Sequence, residues 1–293
     1  MRSENTNLKI DIKKVGVVGC GLMGSGFTQL CAQKGYQVVV SEVSDAFLKK
    51  GVALINSRLT EGISKGALSK REKDAILSRI SGTTRLEDFS DCDLVIEAAT
   101  EKMDVKKKIF AELDKICCED IVLGTNTSVL SVLDIAKVTR RPDKVLGIHM
   151  NPLVMPIAEI IKTLVTSEET IEVAKSFSQT LGKQVLIIQD SPGFIANRLL
   201  MPLLLNAIRM IESGIAKKED IDTEFTLGFG WPIGPLAMID FAGLDTLLFI
   251  SEALYDDLKE PQYAPPILLK KMVAAGWIGC KAGKGFYDYQ SNM

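Results

Sequence analysis

Four apolar residues running straight into a glycine-rich turn leave a chain few choices. Residues 15–18 lead into Gly19-Cys-Gly21-Leu-Met-Gly24, and an amphipathic segment then continues to about Lys34-Gly35. Strand, G-x-G-x-x-G turn and helix in immediate succession form the opening of a βαβ unit built around a dinucleotide. The first glycine permits a tight turn, the second lets the backbone approach a pyrophosphate, and the third lets the helix pack close to the strand. The helix start then offers unpaired N–H groups to phosphate. Gly19, Gly21, Leu22, Met23 and Gly24 are therefore the predicted cofactor loop. An acidic residue about 20 positions further on is expected to accept hydrogen bonds from the adenine ribose. Glu42 stands there, and because its carboxylate repels a 2′-phosphate, NAD is the expected cofactor rather than NADP.

Further short runs at Gln37–Ser41, Leu94–Glu97, 121–125, Val145–His149 and 185–188 are separated by amphipathic segments. That alternation predicts a parallel sheet covered by helices. Ser69-Lys-Arg-Glu72 has the form of a capping box. Residues 104–116 place Val105, Ile109, Leu113 and Ile116 on one helical face and lysines on the other. Past Asp190-Ser-Pro-Gly193 the character changes: 194–212, 219–226, 236–258 and 266–275 read as helices parted by Gly and Pro, with no convincing strand. The expected fold is α/β, an N-terminal Rossmann-type doubly wound sheet with an all-α C-terminal domain. The expected domains are 1–190 for NAD, with 1–11 a disordered tail, and 191–293 for substrate and dimerisation. Leu199, Leu203, Ile208 and Ile211 are expected on a surface buried between two subunits, a compact monomeric core being the alternative.

A net charge of -2 with 25% charged residues carries no electrostatic footprint for nucleic acid or an acidic membrane. The longest uncharged stretches are 199–208 and 225–239, the second broken by Gly228, Gly230, Pro232, Gly234 and Pro235, so neither is expected to span a bilayer. Six cysteines without a C-x-x-C pair suggest buried free thiols in a reducing compartment, and hence a soluble cytoplasmic protein. Cys117-Cys118 reads as two buried small apolar side chains. No metal site is expected.

The chain holds one histidine, His149, at the end of the run Val145–His149. Open α/β sheets place their ligands at the carboxyl ends of strands. A dehydrogenase working near neutral pH needs a base that titrates there, which makes this imidazole the candidate.

In order along the chain come the glycine fingerprint, Asn126-Thr-Ser128, Gly147-Ile-His149-Met-Asn-Pro152, Asp190-Ser-Pro-Gly-Phe-Ile-Ala-Asn197-Arg198 and Gly276-Trp-Ile-Gly-Cys-Lys-Ala-Gly-Lys-Gly-Phe-Tyr287. From about residue 14 to 289 this pattern resembles the L-3-hydroxyacyl-CoA dehydrogenase family. The resemblance implies reversible, NAD-dependent oxidation of a 3-hydroxyacyl-CoA. It implies a histidine base, His149, oriented by Glu159, with Ser128 and Asn197 contacting substrate oxygens. It carries cofactor contacts to Glu42, Glu101, Lys106, Ser128 and Lys281, and substrate contacts to Asn151 and a CoA-binding lysine near Lys65.

The chain departs from the family pattern in three places. Only Met150 separates His149 from Asn151 where the family usually has two residues, and one more position is missing before Glu159. Val129 replaces a second serine and Glu42 an aspartate. Without the resemblance, Glu159 is a charge in an apolar strand that needs a partner. Ser128 reads equally as a helix cap before 130–136, Asn197 as a structural donor, and Glu101 and Lys106 as surface residues. Two other functions stay open: the same chemistry on a non-CoA 3-hydroxy acid or an unusual branched or aromatic hydroxyacyl-CoA, and a cofactor-binding protein without turnover.

Overall fold

A computed structural model describes residues 12–289; the predicted tail at 1–11 lies outside them. The β-branched runs become strands β1 (Lys14–Val18), β2 (Gln37–Ser41), β3 (Ile80–Thr83), β4 (Leu94–Glu97), β5 (Val122–Thr125), β6 (Val145–His149), β7 (Ile157–Lys162) and β8 (Gln184–Gln189). They form one sheet in the order β3-β2-β1-β4-β5-β6-β7-β8. The order reverses between β1 and β4, which opens the crevice that doubly wound sheets use for ligands. Helices α1 (Leu22–Gln33), α2 (Asp45–Ser64), α3 (Lys70–Leu77), α4 (Met103–Ile116), α5 (Val132–Ala136) and α6 (Glu168–Thr180) accompany the sheet. Val17, Phe27, Val40, Leu94, Ile96 and Ile148 sit in its core with no exposed surface. The capping box forms as expected: Ser69 and Glu72 satisfy each other's backbone at the start of α3.

Around the sheet, three expectations need correction. The sheet is not wholly parallel, since β7 runs antiparallel to β6 and β8 parallel to β7. Residues 150–156 are too short a link for a parallel crossover, which takes about a dozen residues. Strand β3 went unread because Ile-Ser-Gly-Thr has no apolar run; it is recruited by pairing with Val38–Ser41. On α4 the buried face is Lys106, Phe110, Leu113 and Asp114 rather than Val105, Ile109, Leu113 and Ile116. A lysine and an aspartate sit in the core because each has buried partners, Glu97 for Lys106 and Arg141 for Asp114.

The described chain divides into two compact units, one taking residues up to Thr127 with Ser131–Asp190, the other Ser128–Leu130 with everything from Ser191 on. The second unit holds α7 (Ala196–Glu212), α8 (Lys218–Thr223), α9 (Pro235–Ala242), α10 (Leu244–Leu258) and α11 (Ile267–Ala274). The predicted single helix over 236–258 breaks at Gly243, whose φ of +100° no helix tolerates. Leu205, Ile208, Leu236, Ile239, Leu244 and Leu269 form this unit's own core. Ile208 is thus fully buried inside its unit and not on an intersubunit surface, whereas Leu199 is 72% exposed. Buried Asp240 accepts the N–H groups of Phe286 and Tyr287, both at 2.8 Å, and so ties the segment after α11 back to α9. All six cysteines are free, but Cys118 is exposed and only Cys117 of that pair is buried. Among the described residues no helix is long and apolar enough to cross a membrane.

Candidate active site

Packing within the protein explains two of the three fingerprint glycines. Gly19 has φ +94°, and a Cβ there would lie 2.8 Å from Ala98 O; a Cβ on Gly24 would lie 1.8 Å from Gly19 O. Gly21 is different: a Cβ there meets nothing within 4 Å. No contact among the described residues calls for glycine there, which fits a backbone left open to a pyrophosphate. No side chain caps the start of α1, so its first N–H groups face that space. Glu42, one residue past β2, is held over the loop: Oε1 accepts the Cys20 N–H at 2.7 Å and Oε2 the Val43 N–H at 3.1 Å. A carboxylate has about four acceptor sites, which leaves capacity for ribose hydroxyls.

At the carboxyl ends of β4 and β5 lies a buried network. Lys106 Nζ donates to both oxygens of Glu97 at 2.8 and 2.9 Å and sits 3.2 Å from Glu101 Oε2. Thr125 donates to Glu97 at 2.6 Å and Thr127 to Glu101 at 2.5 Å. Lys106 is therefore not a surface lysine; it stands behind Glu101, whose side chain keeps 27% of its exposure. Glu97 was missed at the sequence level although a signal existed. It ends the apolar run Leu94–Glu97, and a charge in such a strand needs a partner, the same reasoning that drew attention to Glu159.

His149 and Glu159 are directly paired residues of antiparallel β6 and β7. That register brings their side chains together, and Nδ1 of His149 lies 2.5 Å from Oε2 of Glu159. The carboxylate is almost wholly buried and the imidazole keeps 14% exposure, so the pair has an exposed end and a dry one. Asn126, quoted above only as part of a motif, turns out to flank the histidine. Its amide donates to the carbonyls of Ile148 at 2.8 Å and Met150 at 3.2 Å.

Of the remaining predicted residues, Asn151 helps close the turn after His149, its Oδ1 accepting the Leu153 N–H at 3.3 Å. Ser128 and Asn197 both fall in the helical unit and meet: Asn197 Nδ2 donates to Ser128 O at 3.2 Å. The cap of α5 is Ser131, not Ser128. In the same unit Lys281 pairs with Asp245 at 2.7 Å. Exposed Lys65 follows α2 and pairs with Glu61 at 2.6 Å.

Both units match models of one family. The family model "3-hydroxyacyl-CoA dehydrogenase, NAD binding domain" matches residues 14–191, and "3-hydroxyacyl-CoA dehydrogenase, C-terminal domain" matches 193–289. The chain is 45% identical to a 3-hydroxybutyryl-CoA dehydrogenase of Mycobacterium tuberculosis over 282 residues, covering 95% of this chain and 99% of that one. It is 40% identical to the mitochondrial hydroxyacyl-coenzyme A dehydrogenase of Homo sapiens, covering 96% and 93%. The crystal structure of (S)-3-hydroxybutyryl-CoA dehydrogenase from Ralstonia eutropha superposes with a TM-score of 0.90 at 43% identity, covering 95% and 99%. With both family models, the fingerprint and the sheet in place, the chain belongs to the 3-hydroxyacyl-CoA dehydrogenase family, as an NAD-dependent oxidoreductase acting on 3-hydroxyacyl-CoA.

Proposed function

We propose that His149 is the general base for oxidation of a short 3-hydroxyacyl-CoA, of the 3-hydroxybutyryl kind named for the relatives. The observation that carries this is the 2.5 Å contact between His149 Nδ1 and Glu159 Oε2 at the carboxyl end of the sheet. With Nδ1 held by the carboxylate, Nε2 is the nitrogen that exchanges the substrate proton. NAD held at the glycine loop would supply the acceptor for the hydride on the carbon that bears the hydroxyl. His149 takes the hydroxyl proton as the carbonyl forms, and Glu159 stabilises the resulting imidazolium and fixes the ring's orientation. In reduction the imidazolium returns that proton to the new alkoxide oxygen.

Gly19, Gly21, Leu22, Met23 and Gly24 would cradle the pyrophosphate, Glu42 the ribose, and Glu101 with Lys106 behind it the rest of the cofactor. Ser128 and Asn197 would hold substrate oxygen, with Asn151, Lys65 and Lys281 as further ligand contacts. We assign the division of labour at residue 190, the first part to NAD and the second to substrate and to a homodimer contact, in a cytoplasmic enzyme consistent with its free thiols.

The test is NADH absorbance with 3-hydroxybutyryl-CoA, acetoacetyl-CoA and the free 3-hydroxy acids. His149→Gln is expected to lower turnover about 10²- to 10⁴-fold, the usual worth of a positioned base. Near-normal turnover of that variant would refute the assignment, and turnover of free acids at equal efficiency would refute the CoA substrate.

A further inference from the structure

The link from His149 to β7 is pinned from outside itself. Within it, Asn151 O accepts the N–H groups of Val154 at 3.3 Å and Met155 at 3.0 Å, a turn that leaves other carbonyls unused. Lys183 Nζ donates to two of those, Pro152 O and Met155 O, each at 2.6 Å. The next residue, Gln184, donates its N–H to Pro156 O at 2.8 Å. On another side the loop rests on the cofactor helix: a Cβ on Gly26 of α1 would lie 2.8 Å from Pro152 Cγ and 3.5 Å from Leu153 Cγ.

We propose that Lys183 is a positioning residue for the reaction: its ammonium clamps the loop 150–156 and so sets where His149 stands relative to α1. This rests on the reading of His149 as the base. Among the described residues Lys183 has no carboxylate partner, and burial together with nearby Lys34 pushes its ammonium below the usual lysine range. A half-buried cation beside a second cation is costly unless its hydrogen bonds return something. Here they are charge-assisted bonds to neutral carbonyls, roughly twice as strong as neutral ones, on the segment that joins the imidazole to its carboxylate. Asn126 fixes the near end of that segment through Ile148 and Met150. Lys183 fixes the far end, and Gly26 allows the close approach of α1 between them. Without the ammonium, the turn keeps its own longer bonds and the Gln184 tie, and the imidazole–carboxylate pair loses its registration on the helix that opens the cofactor site.

The experiment compares Lys183→Met, Lys183→Gln and Lys183→Arg, each alone and with His149→Gln, using turnover in both directions and NADH titration by fluorescence. Lys183→Met is expected to lower kcat about 10- to 100-fold, the scale of a displacement near 1 Å at reacting atoms. The Kd for NADH and the KM for substrate should change by less than about twofold, as for an interaction felt only in the transition state. Lys183→Arg should recover most of the loss, and Lys183→Gln, with a neutral donor, should fall between. In the His149→Gln background Lys183→Met should cost less than about twofold, because effects that share one path do not add. Unchanged kcat in Lys183→Met, equal losses for Met and Arg, or the same factor lost with and without His149 would each overturn the proposal. If Lys183→Met does not fold, the comparison of Gln with Arg decides by the same criteria. Near-normal turnover of His149→Gln alone would instead overturn the base assignment, and is read separately.

Discussion

Glu42 has two tasks that pull on the same carboxylate. It ties the glycine loop to the end of β2 through the Cys20 N–H, and it is the carboxylate proposed above to recognise the adenine ribose. Glu42→Ala should therefore do more than remove a repulsion toward NADP. It deletes an acceptor for ribose and releases the loop, so NAD efficiency should fall by about 10- to 100-fold, the worth of a hydrogen bond to a charged group. NADP efficiency should fall less, because the variant also loses the charge that disfavours a 2′-phosphate. Steady-state kcat/KM with both cofactors checks this, and an unchanged NAD to NADP ratio would show that Glu42 only holds the loop. The neighbouring thiol adds nothing to the chemistry: burial, with Glu42 nearby, pushes Cys20 up to about 11. A thiol so far from ionisation is a packing group.

At the scale of single elements, helical periodicity placed α4 correctly and mistook its face by one position. Val105 and Ile109 look like the apolar stripe, but Lys106 takes the fully buried place because Glu97 and Glu101 supply the charge it needs. A pattern that scores lysine as polar cannot see an ion pair assembled from residues on another strand. The same limit applies to Lys183 and Asn126, whose meaning depends on which carbonyls the topology brings to them. By contrast, β1, the glycine loop and α1 were legible because strand, turn and helix follow one another directly along the chain, with Gly24 packed on Gly19 five residues before it. His149 and Glu159 lie between these cases, since each stood out as an isolated polar residue on an apolar run while their pairing needed the antiparallel turn of β7. The buried network makes a prediction of its own. Lys106→Met leaves Glu97 uncompensated in the core and should destabilise the protein by about 3–5 kcal/mol. Changing Glu97 to Gln as well should recover part of that, since a neutral amide is far cheaper to bury. Urea unfolding of the single and double variants distinguishes the cases, and a harmless Lys106→Met would mean the pair is not what holds β4 to α4.

For the molecule as a whole, the open question is what covers the apolar surface of the helical unit. Isolated exposed apolar side chains are ordinary and need no explanation. The stretch after α8 is not isolated: Leu227 is 82% and Phe229 67% exposed, and the ring of Phe229 lies tilted against Phe225 at 5.3 Å, which in turn meets Trp231 edge-on at 5.0 Å. Contiguous apolar patches of this kind mark interaction sites more often than free surface. A π-helical turn at Glu224–Gly228 presents it, and such turns are frequent at functional sites. The homodimer proposed above gives the patch an occupant, and it shifts the expected contact from Ile208, which the unit's own core consumes, to this segment. Sedimentation at micromolar concentration should then give twice the 32.0 kDa chain mass. Phe229→Glu should drive the protein toward monomer while leaving the helical unit folded, because neither Leu227 nor Phe229 belongs to its buried core. A wild-type monomer would refute the dimer. A dimer indifferent to Phe229→Glu would move the contact to another exposed apolar position, of which Leu199, outside the core at the start of α7, is the next to test.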